Sequence, residues 1–276
     1  MSKTTFQPSV LVFSALLALA ATSCSKSDAP APAAAAAEAP AAPAAPVSLS
    51  AERAELLRQF LVQTSGEQNV TWSAATGAFM IDGDVAMPLD EVEAHYAQKD
   101  APQQGTARTE GVQHRKSYYL VTPVKAATVK IYADGTVPAV WKAALDRAIA
   151  NWNATGSKLY ITRITTPTGA NTTVTAANTG GTGTIAVANY PDYLSNPGRK
   201  ITINTYYNYL AAGLQTFAMT HELGHTYGFG HTNSTYGTLV PGSPNSDSYS
   251  VMNSVCKTWS SFSTYDLLAI RTVYPK

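Results

Sequence analysis

Three of the chain's 5 histidines fall within the stretch His221-Glu222-Leu223-Gly224-His225-Thr226-Tyr227-Gly228-Phe229-Gly230-His231. That spacing suits zinc. His221 and His225 are four apart, so on a helix their imidazoles leave one face, one turn above the other. Both nitrogens then reach a single Zn2+ at about 2.0–2.1 Å. Glu222 stands one step round the helix, placed to lean over the open side of the metal and take a proton from bound water. Gly228 can end the helix, because glycine accepts the left-handed conformation. The chain then turns back, and His231 can become the third ligand. Three protein ligands leave a fourth position for water, which is the catalytic pattern for zinc and not the structural one. One catalytic Zn2+ is the expected cofactor, and calcium is left open. A bare H-E-x-x-H could equally be a polar helix face with solvated histidines; the extended pattern assigns a job to five positions.

The pattern H-E-x-x-H-x-x-G-x-x-H at residues 221–231 resembles that of the metzincin zinc endopeptidases. Ser250-Val251-Met252-Asn253 is similar to that family's tight turn beneath the metal, with Met252 at the methionine position. His221 to His225 resembles the pentapeptide of the bacterial dual-action HEIGH metallopeptidases, the nearest branch. The resemblance covers residues 117–276. It implies peptide hydrolysis, in which Glu222 assists attack of zinc-bound water on the scissile carbonyl and returns the proton to the leaving amine. Met252 would be a structural floor. The segment Gly183 to Pro191, then Asn196-Pro197-Gly198 and Ile201-Thr202-Ile203-Asn204, is similar to a matrixin-type edge strand, loop and last strand. By that likeness Ile185, Ala186, Val187, Ala188, Asn189 and Tyr190 form an edge that pairs with extended substrate. There are departures: Thr232 follows the third histidine, and Ser254 stands where related branches carry a tyrosine near the metal.

The elements that must position these residues can be read from periodicity. Pro138 opens a helix with apolar positions Val140, Trp141, Leu145, Ala148, Ile149 and Trp152, a 3.6-residue stripe that should pack on a sheet. Residues 128–132, 158–165, 172–177, 185–190 and 200–205 read as short strands between Gly, Pro and Asn clusters, and 117–121 as another. The zinc helix should run over 210–227 and be deeply buried. Ser263 and Asp266 look like the capped start of a terminal helix with Leu267, Ile270 and Tyr274 as its stripe. The expected fold is α/β (α+β). It has a twisted, mostly parallel sheet of about five strands with an antiparallel edge strand. A backing helix and the zinc helix cover it, and a small C-terminal lobe carries the methionine turn and the last helix, as in metzincins.

Upstream, Val10 to Ala21 is an apolar run broken by Ser14, too short to span a bilayer core that needs about 20 apolar residues. It ends in Ala21-Thr22-Ser23-Cys24, which resembles a bacterial lipoprotein signal with Cys24 as the lipidated residue. The alternative is an ordinary cleaved signal. Residues 25–47 are Ser, Ala and Pro with almost nothing else, an extended spacer. The expected organisation is signal 1–23, tether 24–47, a small N-terminal region 48–115 and a catalytic domain 116–276. Within the third part, Leu49 to Leu61 and Pro88 to Tyr96 read as helices, and Phe79-Met80-Ile81 as a strand before the turn Asp82-Gly83-Asp84. This region is either a pro-segment over the zinc cleft or an accessory domain. With no cysteine between Cys24 and Cys256, any latency would need Asp82, Asp84 or a histidine; His95 and His114 read as plain surface residues. Cys256 reads as a buried thiol without a partner.

Charged residues make up 13% of the chain and the formal net charge is +1, which argues against nucleic-acid binding. The reading is an exported zinc metalloendopeptidase (a hydrolase), tethered to a membrane of the bacterial cell envelope through Cys24 or fully secreted, monomeric, acting on proteins or peptides. The alternatives are a zinc-containing surface binding or adhesion module without turnover, and a zinc hydrolase of a non-peptide amide.

Overall fold

The computed structural model describes residues 46–65, 67–99, 115–116, 120–233, 238–244 and 246–276. The expected signal, Cys24, nearly all of the tether, His114 and most of the 98–115 boundary lie outside them. Strand-like residues 117–119 do too.

In chain order the elements are α1 (Ala51–Ser65), β1 (Val70–Ser73), β2 (Ala78–Ile81), β3 (Val85–Pro88), α2 (Leu89–Ala97), β4 (Arg115–Lys116), α3 (Pro123–Ala126) and β5 (Val129–Ala133). There follow α4 (Ala139–Asn153), β6 (Ile161–Ile164), β7 (Thr172–Ala177), β8 (Ala186–Ala188), β9 (Lys200–Asn204), α5 (Ala212–Tyr227), β10 (Thr238–Leu239) and α6 (Thr264–Val273). Eight strands form one mixed sheet in the order β1-β2-β3-β8-β9-β7-β5-β6. The five-strand part expected from the sequence is present: β6, β5, β7 and β9 run parallel, and β8 is antiparallel to β9. β8 is not the edge, however. β3 pairs with it in parallel, Val85 opposite Ala188, and the antiparallel β1-β2-β3 meander continues the sheet. The N-terminal strands satisfy the backbone groups that the expectation left open for substrate. The described residues fall in one compact unit.

α4 backs the sheet through Trp141, Ala144, Leu145, Ala148, Ile149 and Trp152, all buried. Val140, expected in that stripe, is 48% exposed, because the inward face follows the i, i+4 rows from Trp141 and takes Ala144 instead. Two apolar cores result. The larger holds α4, α5, α6 and the parallel strands; the smaller holds Leu57, Phe60 and Leu61 of α1 with Phe79, Ile81, Val85, Met87 and Val92, and reaches across to Tyr190. That contact lays the N-terminal meander beside the strand that flanks the histidines. His95, read as a surface residue, is buried on the inner side of α2 with its ring against Tyr193, and burial pushes it down to about 4. Among the described residues no helix is long and apolar enough to cross a membrane.

Candidate metal centre

α5 is buried from Gln215 to Tyr227 and locked to α4 by Trp152, whose Nε1 donates to the Thr220 carbonyl at 2.9 Å. Gly228 ends the helix at φ 98°, and Phe229 N then donates to the Gly224 carbonyl at 3.0 Å. The reversal brings His231 back against the helix.

The three rings converge. His225 Nε2 lies 2.9 Å and His231 Nε2 3.3 Å from His221 Nε2. Two donors bound to one tetrahedral ion at about 2.0–2.1 Å stand ~3.3 Å apart, so the spacing suits a metal. The other ring nitrogens strengthen the fit. His221 Nδ1 donates to the Val251 carbonyl at 2.7 Å, His225 Nδ1 to the Phe229 carbonyl at 2.8 Å, and His231 Nδ1 to the Asp82 carboxylate at 2.7 Å. Acceptors on Nδ1 hold protons there, so once a metal displaces any proton from Nε2 the three Nε2 lone pairs would aim at one point. The residues present fit a zinc ion.

A fourth group joins them. Asp84, from the turn between β2 and β3, lies within ligand reach of all three histidines. Burial alone would raise its carboxyl, but the three imidazoles beside it hold it well below the usual carboxylate range. Burial lowers His231, yet the Asp82 and Asp84 carboxylates lift it to about 10; burial, then the neighbouring His221, depress His225 to about 4. Glu222 is buried beside them, and its Oε2 has no hydrogen-bond partner among the described residues. Burial, then the Asp84 charge, push its carboxyl well above the ordinary range. A cavity of about 300 Å³ opens at this place, with Ile185, Phe217, Ala218, His221, Glu222 and Cys256 among its walls. Cys256 is half-buried with a free thiol that burial raises to about 11.

Met252 lies under α5. A Cβ at Gly224 would come within 2.3 Å of its Sδ, so the glycine inside the motif makes room for the methionine despite costing about 1 kcal/mol of helix propensity. The turn is anchored by a residue whose second role the sequence did not reveal. Asp266 accepts from Ser250 Oγ at 2.6 Å, Val251 N at 3.0 Å and Ser263 N at 2.9 Å. The predicted Ser263 capping box is present, and the same carboxylate reaches on to hold the turn that orients His221. Asp266→Ala should leave these buried donors unpaired and cost about 3 kcal/mol. A denaturant midpoint measures the loss, and zinc should pass faster to a chelator as His221 loosens.

The family model of the dual-action HEIGH metallo-peptidases matches residues 79–237, more than half of the 276. The chain belongs to that family. It is a metallopeptidase, and the family implies a zinc ion. The match includes β2, β3 and their Asp82-Gly83-Asp84 turn as well as the three histidines of this HEIGH peptidase. Two solved structures of myroilysin share 15% identity with it. One covers 56% of this chain and 84% of its own at a TM-score of 0.39, the other 60% and 100% at 0.41. No curated protein is significantly similar.

Of the residues singled out from the sequence, His221, Glu222, His225 and His231 meet at one place, with Met252 beneath α5 and Gly228 ending it. Ile185 and Ala186 border the cavity, while β8 spans only Ala186–Ala188. Tyr190 is buried with its ring edge-on to His225, 5.6 Å between centroids.

Proposed function

We propose that the chain is an exported zinc endopeptidase, held at the bacterial cell envelope by a lipid on Cys24, in which Glu222 is the general base and acid of peptide hydrolysis. The observation that carries this reading is the pairing of three converging imidazoles with a buried carboxylate at the rim of a cavity, its Oε2 without a hydrogen-bond partner among the described residues. His221, His225 and His231 would hold the ion. When bound, Zn2+ acidifies a water molecule and polarises the scissile carbonyl. Glu222 takes the water's proton on its free oxygen and returns it to the leaving amine. The Val251 and Phe229 carbonyls keep the His221 and His225 rings in one tautomer throughout. A zinc-holding binding module has no use for a carboxylate oxygen buried beside the metal without a partner, which disfavours that alternative.

Full-length protein and its Asp84→Ala variant, each loaded with one equivalent of zinc, test the reading with unfolded casein as substrate. Mass spectrometry should show new peptides that disappear with a chelator and return with zinc. Hydrolysis indifferent to chelation, or none from either protein, would defeat it. Lipid on Cys24 is read separately, as the mass of the N-terminal peptide from protein made in a bacterial host.

A further inference from the structure

We propose that the N-terminal hairpin masks this peptidase, with Asp84 as a fourth protein ligand in the place a catalytic zinc keeps for water. The proposal deepens the zinc reading above and rests on it. Asp82 and Gly83 take left-handed backbone, φ 51° and 90°, and so fold β2 and β3 into a tight hairpin whose turn enters the site. Asp84 Oδ2 lies 2.9 Å from His231 Nε2 and 3.4 Å from His221 Nε2. Asp84 Oδ1 lies 3.8 Å from His225 Nε2 and has no hydrogen-bond partner among the described residues. The Oδ2 distances bracket the ~3.3 Å spacing of donors around one tetrahedral ion. The other carboxylate of the turn, Asp82, takes the far side of the same ring, on His231 Nδ1. One turn therefore supplies a ligand and orients another.

A second, independent observation comes from the backbone. The Asp84 carbonyl accepts from Ala188 N at 2.9 Å, Thr184 Oγ1 reaches the Gly83 carbonyl at 3.3 Å, and Asn189 Nδ2 donates to the Ala86 carbonyl. Residues 83–86 thus occupy both the open metal corner and the outer edge of β8. Behind them Arg199 Nε pairs with Glu91 at 2.7 Å and its Nη2 with Asp90 at 3.0 Å, tying α2 to the later part of the chain. A peptide cannot pair with β8 or reach the metal until this hairpin moves, and its movement frees both together. The mask is a ligand from the protein's own chain, in competition with substrate.

Direct access to the metal tests this without relying on turnover. The full-length chain is loaded with Co2+ in place of zinc, and acetohydroxamate is titrated while the visible d–d bands are followed. A closed state that leaves the site open ~1–10% of the time weakens an added ligand ~10–100-fold. Asp84→Ala and Asp84→Asn should each bind acetohydroxamate tighter than the unaltered chain by that factor, and zinc-loaded variants should hydrolyse casein faster. Asp84→Asn keeps the size of the side chain and the hairpin, so it decides the matter if the alanine variant fails to melt cooperatively. Equal or weaker affinity in the folded variants would overturn the mask. Tighter binding with no hydrolysis by any of the proteins would keep Asp84 as a ligand and remove the endopeptidase reading instead.

Discussion

Glu222→Gln, placed in the Asp84→Ala chain so that the metal is accessible, should lower kcat/KM on a peptide substrate ~10²–10⁴-fold. That corresponds to about 3–5 kcal/mol of transition-state stabilisation. The reason lies in the geometry. Glu222 is one residue from His221 yet contributes no donor to the metal cluster, and its Oε2 has no other partner among the described residues. Glutamine fills the same volume and cannot take a proton. Zinc content by mass spectrometry should therefore stay at one per chain while turnover falls. Loss of zinc along with activity would make Glu222 a structural support. Unchanged activity would end the proposed mechanism.

The second large effect is expected away from the chemistry, at Gly198. A Cβ there would lie 1.9 Å from the Asn189 carbonyl oxygen and 3.1 Å from the Thr226 Cα, both backbone atoms that no rotamer change can move. Gly198 N also donates to the Thr226 carbonyl at 2.9 Å. This glycine is the point where the chain after β8 meets the end of α5. Gly198→Ala should force the two apart and destabilise the protein by about 3 kcal/mol. For a chain of this size that lowers the melting temperature by roughly 6–12 °C. Thermal unfolding followed by circular dichroism measures it. A variant that melts within a degree of the parent would show that the contact is not tight. If the fold survives, His225 is displaced with the helix end, and zinc affinity should fall as well.

Much of the site is legible in the order of the residues alone. The four-residue step from His221 to His225 is a helix repeat, Gly228 a conformational requirement, and Ser263 with Asp266 a local capping pattern; each is a constraint between near neighbours in sequence. The strand and helix order of residues 128–227 and the terminal helix follow from periodicity for the same reason, while β10 carried no such signal. Periodicity fails where faces are decided by packing. Val140 and Leu56 are exposed because neighbouring apolar residues take the inward rows, and His95 is buried because α2 lies against Tyr193. What the sequence by itself determined is the chemistry: three imidazoles and a carboxylate of the right kind and spacing. Only the tertiary structure decided what stands in front of them. Asp84 reaches His221 across 137 positions of chain and Asp266 reaches the methionine turn across 15 or more. Partners that far apart are set by strand order and register, which no local pattern encodes; pairing β3 with β8 turned an expected open edge into a filled one.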